Sequence, residues 1–311
     1  MSFIFESDVE LDDALVEAME ADEGEVDFGE LEESYSELVT TLGSLNESML
    51  MSVASAQYQT LKESGDQEAL TEGVKDTLKS WWKKLCELVS AGWNKVKSFF
   101  SRIFSRIYSM VVSDEKWFKE KESELKSVAL IAPFKMSTYA AIANGKAIAA
   151  LKCAEAAAVA YVKSGSVAEG TGLGLSEAVF KRMFGDKSEQ KIDQSRFNAA
   201  LGAAPGLITL GKNIKSMQKQ VEIGEKASVA QLKEGDKAVN ASKPDAKKAR
   251  EEGKKAQQTL AKTKTAAAFM AKAVNKARAG TFAILRGGLS HSGAKAKKES
   301  VSFNFFESAE A

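Results

Sequence analysis

"TLKSWWKKLCELVSAGWNKVKSFFSRIFSRIYSMVV", residues 77–112, carries the longest regular pattern in the chain. Apolar side chains fall at 78, 81/82, 85, 88/89, 93, 96, 99/100, 103/104, 107/108 and 111. That spacing of three or four is held for about ten turns, and only a helix brings residues so spaced onto one face. The stretch therefore predicts a single amphipathic helix, roughly 54 Å long at 1.5 Å per residue. Lys83, Lys84, Lys95, Arg102 and Arg106 take the opposite side, with Glu87 as the only acid. Gly92 is its weak point, costing about 1 kcal/mol relative to alanine. The aromatic face admits two uses. A helical bundle needs such a stripe for its core. Trp81, Trp82, Trp93, Phe99, Phe100 and Phe104 opposite a Lys/Arg face also match a helix lying in a membrane interface.

Outward from this helix the same spacing recurs, alternating strand-like runs are scarce, and only Pro133, Pro205 and Pro244 interrupt the chain. The expected fold is all-α: an elongated multi-helix body with long amphipathic helices and a poorly ordered acidic N-terminal arm. Residues 126–163 are Ala-rich and predict close-packed helix broken at Pro133 and at Asn144-Gly145. "SGSVAEGTGLGL" (164–175) predicts a loop, and further helices are expected at 176–184, 190–201 and 207–234. "KKAQQTLAKTKTAAAFMAKAVNKARAG" (254–280) predicts a long helix with Leu260, Ala267, Met270, Val274 and Ala277 facing inward. The expected organisation is an acidic arm 1–72, a helical region 73–163, a loop 164–175, and a basic helical region 176–311 ending in a short aromatic tail.

The formal charge of zero averages two unlike parts. Residues 1–72 hold 20 acids and one base, Lys62. Removing these from the 43 of each sign leaves 23 acids and 42 bases, a net of +19. Such asymmetry points to an acidic tail and an anionic partner for the remainder. Two cysteines, Cys86 and Cys153, make no disulfide framework, and both sit on apolar helical spacing as small core residues. "MSFIFESDVELDD" lacks the positive start of a secretory signal. No run of about 18 uncharged apolar residues is present, so neither a signal peptide nor a membrane-spanning helix is expected.

Candidates for catalysis are few. His291, in "GGLSHSG", is the only histidine, so a metal site of several histidines is impossible and a triad would rest on a flexible-looking base. "GLITLGKN" (206–213) matches a phosphate-binding loop through Gly206, Gly211 and Lys212, but has Asn213 where a magnesium-binding hydroxyl belongs and no preceding strand. The glycines of "EGTGLG" (169–174) lack a βαβ setting. No enzyme activity, cofactor or metal is expected.

Leu70-Thr71-Glu72-Gly73 stands at the charge divide. An extended peptide places Leu70 and Glu72 on one face, where a protease groove can read both together. Gly65 and Gly73 flank it, and scission after Glu72 would part the acidic arm from the basic body. This arrangement resembles the internal head (prohead core) proteins of T-even-like tailed bacteriophages, which a prohead protease cuts after a hydrophobic-X-Glu motif. Ile4-Phe5-Glu6, Leu15-Val16-Glu17, Leu31-Glu32-Glu33, Leu45-Asn46-Glu47 and Leu61-Lys62-Glu63 fit the same motif. The resemblance covers a three-residue motif and a charge arrangement, not the whole chain. It implies a virion-interior protein, present in the host cytoplasm during assembly, that packs with DNA and other capsid or core proteins and is ejected into the host.

The physics of the basic part agrees with such a partner. Nonspecific binding to duplex DNA releases counterions, and a tethered acidic arm competes for the same cations at high effective concentration. From Ala246 to Lys298 there are 14 bases against two acids, Glu251 and Glu252. The expected phosphate contacts are Lys247, Lys248, Arg250, Lys254, Lys255, Lys262, Lys264, Lys272, Lys276 and Arg278. The competing expectation is a membrane-active protein that uses the aromatic face of 77–112, masked until the arm is removed.

Overall fold

The computed structural model describes residues 67–292, apart from 166, 168–173, 213 and 243. The arm up to residue 66, most of the "EGTGLG" glycines and the tail from 293 lie outside the described residues. Among the described residues the fold is all-α with one short β-ribbon. Helix α1 (Gln67–Lys126) leads into strand β1 (Phe134–Tyr139), the single turn α2 (Ala140–Ala143) and α3 (Ala147–Ser164). Then follow α4 (Glu177–Phe184), strand β2 (Lys187–Ile192), α5 (Gln194–Lys212), α6 (Ile214–Asn240) and α7 (Ala246–Ser290).

The periodic stretch is the middle of α1, which runs through Gly92 unbroken for 60 residues, about 90 Å. Its apolar track, from Leu78 and Trp81 to Ile107 and Val111, is buried almost without exception. α7, of 45 residues, lies at the centre of the bundle and packs against α1, α3, α5 and α6. All five residues expected to face inward, Leu260, Ala267, Met270, Val274 and Ala277, are buried. Asp245 starts α7 by accepting the Lys248 amide on its side chain at 2.9 Å, the usual way an aspartate satisfies a free helix N-terminus. Buried residues from Leu78 to Leu285 join one continuous core, so 73–163 and 176–311 share their interior.

Three local expectations need correction. Residues 134–139 are strand, not broken helix, and pair antiparallel with 187–192 from Phe134↔Ile192 to Tyr139↔Lys187. Pro133 disfavours helix just before them, and Phe134, Thr138 and Tyr139 turn inward while Lys135 stays out. The partner strand, "KSEQKI", is polar at five of six positions, and only Ile192 is buried, so little in its composition marks it as strand. Second, α5 passes through Pro205 instead of turning there, placing 206–212 in helix and removing the phosphate-loop geometry. Third, Cys153 is exposed on the outer side of α3, and only Cys86 packs against the core. Ala150, Leu151 and Ala154 take the inner face of α3 instead.

One buried ionic junction ties the two long helices. The Asp114 side chain on α1, 3% exposed, accepts from Arg278 at 2.6 Å and from Arg286 at 2.8 Å, both on α7. Arg278 is itself only 12% exposed, and its second guanidinium nitrogen reaches the Asn275 side-chain oxygen. Arg286 is half-exposed and lies over the Trp117 ring at 5.0 Å. Asp114→Ala would strand the Arg278 cation in the interior, and urea denaturation should show a loss of about 3–5 kcal/mol. Arg286→Ala, which leaves Asp114 one partner and opens to water, should cost far less in the same measurement.

Candidate nucleic-acid interface

The ten cations expected to contact phosphate all lie on α7, but the helix divides them. Lys247, Lys248, Lys254 and Lys255 are exposed on its first three turns. Seven residues make nearly two full turns, so Lys247 lies above Lys254 and Lys248 above Lys255 along the helix surface. Arg250, Lys262, Lys264, Lys272, Lys276 and Arg278 are half-buried. Arg278 is committed to Asp114, and Lys272 donates to Glu177 at 2.6 Å while lying over the Phe180 ring. Lys255 is bound to Glu252 at 2.6 Å, which raises its ammonium above the ordinary lysine value. It remains on the surface with its charge in water. The central part of α7 is too enclosed to lie along a DNA backbone, so the outward cations concentrate at its N-terminal end.

That end meets two other helix ends. Trp82, near the start of α1, is wedged between Gly235 of α6 and Gly253 of α7. A methyl group at 235 would run into the Trp82 ring, so a glycine is required there for the helices to approach. The Trp82 indole N–H has no acceptor among the described residues, so shape alone seats it. Around this junction Lys83 and Lys84 of α1 and Lys233 and Lys237 of α6 are also exposed. Lys237 donates to Glu234 at 2.6 Å and, with a smaller contribution from Lys248, holds that carboxyl below its ordinary value. The two α6 lysines were absent from the expected contact set, and Lys83 and Lys84 figured only as the polar side of a helix. Their signal was present as exposed lysines at helical spacing, but nothing local says which helix ends will meet.

The cleavage motif lies on the same helix as Trp82, N-terminal to it. The backbone of 70–73 is helical, within the first two turns of α1, so a groove that reads extended peptide would first have to unwind this end. The five upstream copies of the motif lie outside the described residues, while Leu85-Cys86-Glu87, Leu175-Ser176-Glu177, Ile223-Gly224-Glu225 and Leu232-Lys233-Glu234 lie within them. The six aromatics offered to a membrane, Trp81, Trp82, Trp93, Phe99, Phe100 and Phe104, are all under 8% exposed. Among the described residues these six therefore form no exposed face, because the bundle covers that side of α1. No described helix is long and apolar enough to cross a membrane.

The remaining candidates take structural places. His291 caps α7 with its ring stacked on Phe134 at 4.8 Å and its Nδ1 2.8 Å from the Gly287 carbonyl. Ser290 Oγ lies 3.1 Å from the same nitrogen but donates to the same carbonyl. Among the described residues no cluster of three or more His, Cys, Asp or Glu is placed to hold a metal. No protein-family model, curated protein or solved structure matches the chain.

Cys86 lies at the lysine-bearing junction and reports on its closure. Burial first, then the charges of Asp236 and Glu87, push its thiol up to about 11 from an ordinary 9.0. At pH 8, iodoacetamide followed by peptide mass mapping should label exposed Cys153 and spare Cys86. The raised value also sets a sign. Between pH 9 and 11 the unfolded chain releases the Cys86 proton while the folded chain keeps it, so this contribution to stability falls as pH rises across that window.

Proposed function

We propose that the protein is an internal component of a tailed-phage virion: an acidic propeptide covalently masking a basic helical body that packs nonspecifically with duplex DNA. The carrying observation is the charge divide at Glu72, with 20 acids and one base before it and a net of +19 after it. The fold adds a spatial reason. In this reading the arm continues into α1, whose Trp82 packs at the α6–α7 junction near exposed Lys247, Lys248, Lys254 and Lys255, so the tether keeps its carboxylates at high effective concentration around these cations. Scission after Glu72 by a prohead protease would free those cations inside the assembling head, among other core and capsid proteins. The later fate in this reading is ejection with the DNA. The body would bind through phosphate neutralisation, without reading base sequence. Membrane activity, the competing role, would require α1 to withdraw its aromatic face from the core, and no observation favours it.

Two measurements test this. Mass spectrometry of purified particles should find a chain beginning at Gly73, and an intact Met1 end there would refute the processing step. In solution, the 73–311 chain should bind duplex DNA more tightly than the full-length chain at low salt, with log affinity falling as log salt rises by about 0.9 per phosphate contact. Lys247→Glu, Lys248→Glu and Lys254→Glu should each reduce that slope by about 0.9, whereas Lys272→Gln should leave it nearly unchanged. Equal DNA affinity of trimmed and full-length chains would overturn the masking role.

A further inference from the structure

A groove of about 1090 Å³ runs along the seam between α1 and α6, and its Lys233 end reaches the lysine-bearing junction. Its floor is the stacked pair Phe100 and Phe104, and Val221 and Val229 line its α6 wall. Val229 is 42% exposed, one of the few large apolar side chains the described surface leaves in water. Lys97 bridges the seam to Glu225 at 2.8 Å, cancelling that acid. Exposed Lys226 and Lys233 then stand on the rim against Glu222, leaving a slight positive excess beside an apolar trough. A hydrophobic floor with cationic edges fits an amphipathic helix whose polar side is acidic.

We infer that this groove is the seat of the chain's own N-terminal segment around residues 9–20, "VELDDALVEAME", docked as a helix. In that segment Leu11, Leu15, Ala18 and Met19 recur at helical spacing, while Asp12, Asp13, Glu17 and Glu20 supply carboxylates beside them. About eight helical residues, roughly 12 Å long and 10 Å across, occupy about 950 Å³, close to the groove's size. Reach is sufficient. The groove begins about 40 Å along α1 from Gln67, and the 46 residues from 21 to 66 span well over 100 Å when extended. Tethering makes the encounter intramolecular, so a groove of modest intrinsic affinity can hold its ligand. The inference rests on the masking role proposed above and gives it a specific lock: the arm is held by apolar contact at one place while its other carboxylates remain near the cationic end.

The test is zero-length carbodiimide coupling of carboxylates to lysines on the full-length protein, using an equal mixture of ¹⁵N-labelled and unlabelled chains and peptide mapping. Links from Glu17 and Glu20 should go to Lys226 within one chain, several-fold above those to Lys247, Lys248, Lys254 and Lys255, with Lys233, which stands between groove and junction, deciding neither way. Leu15→Glu in the arm, and separately Val229→Asp on the exposed groove wall, should each lower the groove links several-fold without altering the circular-dichroism spectrum of the body. Links spread evenly over the lysines, links unchanged by both substitutions, or links mainly between labelled and unlabelled chains would each overturn the seat. DNA affinity of the same full-length samples, set against the 73–311 chain, keeps the two ideas apart. A failed seat with retained masking leaves the arm a diffuse polyanion, whereas loss of the affinity difference removes the masking role itself.

Discussion

The position of α7 imposes a constraint that the rest of the fold must meet. A helix on a protein surface needs one apolar stripe, but α7 is packed by α1, α3, α5 and α6, so from Phe269 to Ala277 it is buried on nearly all sides. Large side chains all round would hold those neighbours too far away. Ala266, Ala267, Ala271, Ala273 and Ala277 are small enough to let them close, and Phe269, Met270 and Val274 fill the gaps that remain. A central helix also has no open side on which to carry charge, yet α7 is rich in lysine and arginine. Every cation in its enclosed part must find a counter-charge or a path to solvent. Asp114 answers this for Arg278, and Glu177 answers it for Lys272.

This requirement redistributes the protein's electrostatics. The +19 of the sequence after Glu72 is a count, and a count treats all cations alike. Folding does not. Cations in the middle of the bundle are drawn into pairs with acids from other helices, and Glu115 of α1 serves both Lys212 of α5 and Lys119 of its own helix. Those two lysines, Lys212 foremost, hold its carboxyl below the ordinary range. Outward cations remain along the helices, as at Lys95, Arg102, Lys152 and Lys226, and at the α1–α6–α7 junction, where exposed lysines stand among the acids Glu87, Glu234, Asp236 and Glu251. A polyanion would accordingly meet cations paired to different degrees, not a uniformly basic rod.

The long elements were legible because their signal is local. Residues 77–112 repeat their spacing for about ten turns, and no tertiary contact is needed to interpret it. The inward residues of α7 were legible for the same reason. The β-ribbon was not, since Lys187–Ile192 is a strand only by virtue of its partner, and polar "KSEQKI" gains its order from pairing with a segment some fifty residues earlier. Pro205 misled because a proline inside a helix is usually an end, whereas packing on both sides carries α5 through it. The candidate interface was half legible. Lysine identities are printed in the sequence, but exposure depends on which faces pack, so Lys247 and Arg278 looked equivalent although one faces water and the other holds the core together. The groove between α1 and α6 had no signature, because Phe100 and Val229 meet only after both helices fold.

Helix α1 links the charge divide to the packing. Glu68 and Glu72 lie in the described part of α1 ahead of Gly73. Scission after Glu72 would remove both acids and leave the α-ammonium of Gly73 at the new helix start, where the unsatisfied amides disfavour positive charge. The new end should fray until packing resists, and the first residues able to resist are Leu78, Trp81 and Trp82, all buried. Trp82 cannot move without opening the gaps beside Gly235 and Gly253. Fraying therefore stops within about two turns, leaving Lys75 and Lys79 on a loosened segment. In the proposed processing, one broken peptide bond would both detach the anionic competitor and mobilise two further cations. The wedge of Trp82 sets how far that loosening can spread.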